Sequence, residues 1–325
     1  MSVPEDRADA VSAHPAANAR GRRSATNPSS RDLTSLKAVI LGVAAGLLGL
    51  LPWLLSGSRL PLQNLWQLDT PPDAMPVSWL PLSQYLVIDL LSIIVTPAAI
   101  AALVLRGWKP VRRRLAIWCV ALGLVAVQST ATIQSFSVLS TGIDLGLRAD
   151  RISQLYFYGL LIAVLGFILA GFAVLWLMVA RKVAVASLGF GLVAVPVSSW
   201  ITSWFDDLLP VGILPSGVVE LGRWAPAVLI GLTLAWCGFK PASRIVIWVL
   251  NLMLLWFLPG LVTALSAALG TRVLRGDVPQ TLELFGQVLV AALTSAEVIA
   301  PLLLSVIIAL LGALGLVLWR RRTAN

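Results

Sequence analysis

The sequence predicts an all-α fold: a polytopic integral membrane protein, a bundle of about eight transmembrane helices with one interfacial amphipathic helix. Three observations carry that expectation. Of 325 residues, 58% are hydrophobic and only 12% charged, against about 25% charged in soluble domains. Several apolar runs reach the roughly 20 residues needed to cross about 30 Å of hydrocarbon. Lys and Arg clusters punctuate those runs at alternate ends.

The segment from Arg106 to Arg114 holds five cations between two long apolar runs. Such a knot of charge stays in water, and the positive-inside tendency puts it at the cytoplasmic face. Each later run then crosses in alternating direction. Residues 1–37 read as a disordered cytoplasmic tail, rich in Ala, Ser, Pro, Asn and Arg without apolar period. The polar lead is too long for a cleaved signal peptide, and no Ala-x-Ala site follows the first apolar run.

Residues 38–325 form the transmembrane domain. Span 1 covers about 38–55. The segment 56–84 after it is external, and Pro61, Pro71, Pro72, Pro76 and Pro81 forbid a regular helix there. Trp66 and Trp79 place it on the headgroup surface. Span 2, about 85–105, returns to the basic turn. Span 3, about 115–135, rises to a loop bearing Asp144, Arg148, Asp150 and Arg151. Span 4 covers about 155–180 and ends at Arg181 and Lys182. Span 5, about 183–204, leads to Asp206, Asp207, Glu220 and Arg223. The short span 6, about 224–239, ends at Lys240 and Arg244. Span 7 covers about 245–269. On this reading eighteen of the 24 cations lie inside and six outside.

The last apolar region, Phe285–Trp319, is 35 residues long, or about 52 Å as a helix. Two spans do not fit and one leaves a surplus. Gln280, Glu283, Gln287, Thr294 and Glu297 fall within an arc of about 100°. Residues 279–298 therefore read as an amphipathic helix in the outer interface. Pro301 opens span 8, about 300–319, before Arg320–Arg322. The word Gly-Leu-Val-Ala-Val at Gly123 recurs at Gly191, and Gly260-Leu-Val follows. That suits duplication of a helical hairpin, though short apolar words also recur by chance.

The net charge of +9 serves orientation and lipid headgroups rather than nucleic acid. The single histidine, His14, lies in the tail, which removes His-dependent triads and metal helices from the fold. No phosphate-binding loop is present. Cys119 and Cys237 lack Cys-x-x-Cys spacing and read as small packed hydrophobes. No cofactor and no metal site is expected.

Polar residues inside the membrane are the remaining candidates. The apolar part of span 3, Leu115–Val127, is too short to cross, so the helix continues through Gln128–Ser135. Gln128, Thr132 and Ser135 share one face. Asp89 and Ser92 of span 2, Ser198, Ser199, Thr202 and Ser203 of span 5, and Glu297 lie at similar depth. The candidate intramembrane site is Asp89, Gln128, Thr132, Ser135 and Glu297. The competing reading is that these groups hydrogen-bond helices together.

The expected function is a non-enzymatic multi-pass protein of a bacterial-type plasma membrane. It would be a scaffold or accessory subunit of an envelope or transport assembly, with lipid and membrane-protein partner subunits. The alternative is a permease for a small neutral or cationic solute, with a polar pocket in the outer halves of spans 2, 3 and 5. The sidedness is checked by single cysteines replacing Lys109 and Arg321 in a background lacking Cys119 and Cys237. Both should label from the same face with a membrane-impermeant reagent; labelling from opposite faces would refute the alternation.

Overall fold

The computed structural model describes residues 28–60, 71, 74–108, 113–143, 151–208, 215–271 and 277–322. Among these residues the helices are α1 (Pro28–Leu55), α2 (Val87–Trp108), α3 (Arg113–Gly142), α4 (Arg151–Val179), α5 (Val183–Leu208), α6 (Ser216–Cys237), α7 (Arg244–Gly270), α8 (Val278–Thr294) and α9 (Ile299–Arg322). Short 3-10 turns, Gln84–Leu86 and Ala296–Val298, precede α2 and α9. All but α8 contain a stretch long and apolar enough to cross a membrane. The chain is an all-α multi-pass membrane bundle.

The expected boundaries move at four places. The tail was expected to reach residue 37, but α1 begins at Pro28, a residue suited to a first turn because its missing N–H has no partner to lose. Residues 1–27 lie outside the described residues. Helix α3 runs on to Gly142, and its hydroxyls are satisfied on their own helix. Thr130, Thr132 and Thr141 donate to the carbonyls of Ala126, Gln128 and Ser137. Helix α6 starts eight residues before the expected 224. Its first turns carry Glu220 and Arg223 on exposed faces, and Trp224 Nε1 donates to Glu220 across one turn at 2.5 Å.

The fourth change concerns the amphipathic segment. Asp277 caps α8 by accepting from the Gln280 N–H at 3.0 Å. The helix ends at Thr294, not 298, because Ser295 is extended and a 3-10 turn follows. None of its residues is buried. It does not stand off at the end of α7, however. Gly260 lies against Ala292 and Leu293, and Trp256 Nε1 donates to Leu293 O at 3.1 Å. Gly260 is ten residues before the end of α7, about 15 Å along the axis, so α8 folds back along α7.

Close contacts give the directions. Gly42 and Gly46 of α1 face Gly123 and Val127 of α3, so these helices run the same way. Gly231 and Ala235 of α6 meet Ile308 and Gly312 of α9 in the same sense. The Arg106 guanidinium at the end of α2 lies 4.8 Å from the Trp236 ring near the end of α6. It also donates to Met178 O and Ala180 O at the end of α4, at 2.7 and 2.9 Å. Arg113 donates to Val179 O. Cations at a helix C-terminus meet the negative end of its dipole and close its last carbonyls. Arg106, Arg113, Arg181 and Lys182 thus gather at one end of the bundle. Arg244 similarly donates to Cys237 O, and Gly238 takes φ 69° to turn the chain there.

Helix α2 is the centre: 61% of its membrane-crossing window is buried, against 22% for α7 and 17% for α9. Ala, Val and Leu side chains of α1, α2, α3, α4 and α5 form one core cluster, and Ala194, Ala227, Ile230, Leu234, Trp248 and Leu255 belong to another. Cys237 is buried and Cys119 half-buried, both as free thiols.

The seam of α1 and α3 brings two backbones into direct contact. A Cβ on Gly42 would lie 2.2 Å from Val120 O, and one on Gly123 would lie 2.4 Å from Val39 O. Only hydrogen fits, and the two backbones touch. Gly42→Leu should lower stability by about 3 kcal/mol or more, read as detergent-resistant folding on heating. Gly166→Leu, where a Cβ meets nothing within 4 Å, is the control. Equal behaviour of the two variants would show that the seam carries no weight.

Candidate functional site

The face of α3 expected to line a pocket is already occupied. Gln128 is 7% exposed, and its Nε2 donates to Ile94 O on α2 at 2.8 Å. Ile94 precedes Pro97 by three residues, inside the stretch of helix whose regular bonding a proline disturbs. Thr132 donates to Gln128 O at 2.7 Å. Ser135 Oγ accepts from the Leu80 N–H at 2.8 Å and donates to Gln134 Oε1. Gln134 in turn donates to Val77 O and accepts from the Trp79 N–H.

Those partners belong to the segment after α1, which behaves differently from a surface loop. Leu60, Met75, Leu80 and Leu82 are all 2% exposed or less. Leu60, Leu80 and Leu82 sit in the cluster that contains Phe136, Leu139 and Leu160. Trp53 Nε1 donates to Ser78 O and Tyr156 to Leu82 O. An antiparallel bridge joins Arg59 to Val77. The segment's described part, residues 56–60 and 74–84, forms a plug, and polar side chains of α3 close the backbone groups of Val77, Trp79 and Leu80. Trp79, expected at the headgroups, is exposed at 39%, while Trp66 lies outside the described residues.

Asp89 is half-buried in the first turn of α2, where negative charge suits the helix dipole. Ser92 donates to its backbone oxygen at 2.8 Å. The structure therefore engages Gln128 with α2 and Ser135 with the segment after α1, and turns Thr132 onto its own helix. Glu297 stands apart from them.

Glu297 lines something else: a cavity of about 590 Å³ between α5, α6, α7 and the α8–α9 turn. Helix α5 contributes Ser198, Ser199 and Thr202 at helical spacing, and Arg223 comes from α6, Trp256 and Thr263 from α7, and Ser295 from the turn. The other walls are apolar, among them Val195, Leu255 and Val298. Ile88, the neighbour of Asp89, reaches the lining. The sequence marked the span-5 hydroxyls and Glu297 as polar and Arg223 as an outer charge, but Trp256, Thr263 and Ser295 carried no local signal. They converge only through packing.

Prolines shape this cavity. Pro226, Pro259 and Pro301 all stand in its wall. Pro226 removes the N–H that would reach Gly222 O, and Ser198 Oγ donates to that carbonyl at 3.1 Å. Thr202 and Thr263 donate to Ser199 O and Pro259 O. Their protons are used, so these hydroxyls offer lone pairs to a ligand. Glu297 N–H donates to Ser295 Oγ at 3.2 Å, which aims the turn. The Arg223 guanidinium lies 5.2 Å from the Trp224 ring. Among the described residues, no three His, Cys, Asp or Glu side chains come together as metal ligands.

Asn251, the other intramembrane amide, is fully buried. Its Nδ2 donates to Ile247 O at 2.9 Å. Its Oδ1 has no conventional donor but presses on Gly191, where a Cβ would lie 1.9 Å away. A Cα–H···O contact at a helix crossing accounts for that geometry.

Replacing Gln128 by Leu keeps the volume and removes the donor to Ile94 O. The expected loss is about 1–2 kcal/mol, measured as a lower unfolding temperature in detergent, with cavity ligands binding as before. Unchanged stability with altered ligand binding would return Gln128 to the role of a site residue.

The chain matches no family model, no curated protein and no solved structure.

Proposed function

We propose that this protein is a non-enzymatic subunit of an envelope or transport assembly that takes a small amphiphilic solute into the cavity between α5, α6, α7 and the α8–α9 turn. In this reading it sits in a bacterial-type plasma membrane with both termini cytoplasmic, so the cavity opens to the outer side. The observation that carries it is the lining: an apolar wall interrupted by hydroxyls, one guanidinium and one carboxylate. At about 590 Å³ the cavity lies within the range of small-molecule sites, which are mostly apolar with a few placed polar groups. Arg223 and Glu297 together suit a headgroup without net charge, neutral or zwitterionic.

A binding role rather than a chemical one is supported by where the hydroxyl protons go. Ser198, Thr202 and Thr263 each donate to a backbone carbonyl, and catalysis by a hydroxyl needs its proton directed to a base. The low burial of α7 and α9 leaves apolar surface for lipid and for partner subunits.

A second reading, a permease, is favoured by one feature. Pro226, Pro259 and Pro301 stand in the cavity wall, and prolines that bend helices beside a site are a means of gating access to it.

Purified protein in nanodiscs should bind members of a panel of short-chain neutral and zwitterionic amphiphiles, followed by native mass spectrometry. Thr263→Trp fills the cavity and should weaken binding about tenfold or more, the effect of leaving about two methylene groups of the solute in water. Glu297→Gln should weaken the zwitterionic members more than the neutral ones. Binding of no panel member, or undiminished binding by Thr263→Trp, would sink the cavity reading. Uptake into liposomes by the protein alone would select the permease.

A further inference from the structure

At the basic end of the bundle the turns between helices carry positive charge and no acidic residue. No Asp or Glu occurs in residues 90–143, 151–205, 221–276 or 298–325. Glu220, Asp277 and Glu297, which fall between these stretches, lie at the opposite end of their helices, whereas Asp32, in the first turns of α1, is an acidic residue at the basic end. Arg106 and Arg113 are engaged with the last carbonyls of α4. Those bonds also tie the start of α3 to the end of α4, which brings three further cations near one another. Arg114 is exposed on α3, and Arg181 and Lys182 are exposed immediately after α4.

Below these cations lies an aromatic pair. Trp118 and Trp176 meet edge to face with ring centroids 5.3 Å apart, yet both face outward, at 62% and 41% exposure. Trp118 is four residues after Arg114, one turn deeper on the same face. The stripe continues through exposed Leu122 on α3 and through Leu169 and Ile162 on α4. Read from the end of the bundle inward, the α3–α4 groove presents cations, then indoles, then aliphatic side chains. That is the order of a phospholipid: phosphate, glycerol region, acyl chain. Indoles favour the boundary between headgroup and hydrocarbon, and basic sites between helices suit anionic headgroups.

We propose that the α3–α4 groove is a binding site for an anionic phospholipid, its phosphate held by Arg114, Arg181 and Lys182 and an acyl chain laid over Trp118 and Trp176. The site is independent of the solute cavity, which lies at the other end of the bundle.

The test uses the full chain in nanodiscs of phosphatidylcholine containing increasing phosphatidylglycerol, with bound lipid counted by native mass spectrometry after release into detergent. The wild type should retain phosphatidylglycerol over phosphatidylcholine. Each of Arg114→Gln, Arg181→Gln and Lys182→Gln should reduce that preference about fivefold, and the triple variant should abolish it. Trp118→Leu should lower retention of both lipids. Lys240→Gln with Arg322→Gln removes two charges elsewhere and should leave the preference intact. An equal loss in that control would show a general surface charge and overturn the site, as would a triple variant that still selects phosphatidylglycerol. Inorganic phosphate that displaced the lipid completely would also overturn it, by showing that the acyl groove contributes nothing.

Discussion

Hydrocarbon supplies no hydrogen bonds, and that single fact organises the bundle. A carbonyl that a proline disturbs gains from a donor inside the protein. Of the prolines within described helices, Pro52, Pro97 and Pro226 show this, while Pro196 and Pro259 show no such side-chain donor. Near each of the first three, a side chain from another helix donates to a carbonyl three or four residues earlier: Trp200 to Gly49 O, Gln128 to Ile94 O, Ser198 to Gly222 O. The same rule governs the plug after α1. Its backbone is irregular, and it can enter the bundle end because Gln134 and Ser135 close its N–H and C=O groups. Gln128, Gln134 and Ser135, which resemble a solute site in sequence, are thus spent on internal bonding.

The cations answer the same constraint at the helix ends. A helix leaves its last carbonyls without partners. Arg106 and Arg113 close those of α4, and Arg244 closes that of Cys237. The basic turns therefore act twice, as charge held out of hydrocarbon and as caps on neighbouring helices. Small residues do the complementary work in the interior. Gly42 against Gly123, Gly231 against Ile308 and Gly312 against Ala235 let backbones approach where no side chain fits. Of the glycines of the recurring apolar words, Gly123 meets the Val39 backbone, Gly191 the Asn251 side-chain amide and Gly260 the Leu293 side chain, each a different neighbour. The words describe packing whether or not they record a duplication.

The candidate site was only half legible beforehand. Glu297, Ser198, Ser199 and Thr202 stood out because each breaks an apolar run, and they do line the cavity. Gln128, Thr132 and Ser135 stood out for the same reason and do not. Nothing in a one-dimensional pattern separates a hydroxyl that meets a backbone carbonyl from one that meets empty space. Thr263 and Ser295 sat unremarked among Leu, Ala and Val, because single hydroxyls are common in membrane helices. Their importance comes from four segments converging at one depth.

The number of crossings, their approximate limits and the gathering of positive charge at alternate turns followed from the chain alone. Those depend on local quantities, apolar length and charge, which a membrane reads residue by residue. Which helix became the centre, where the segment after α1 buried its leucines, how α8 folded back along α7 and where a cavity remained were decided by tertiary packing. Each depends on which carbonyls and which small residues meet across helices, and that pairing is a property of the assembled bundle.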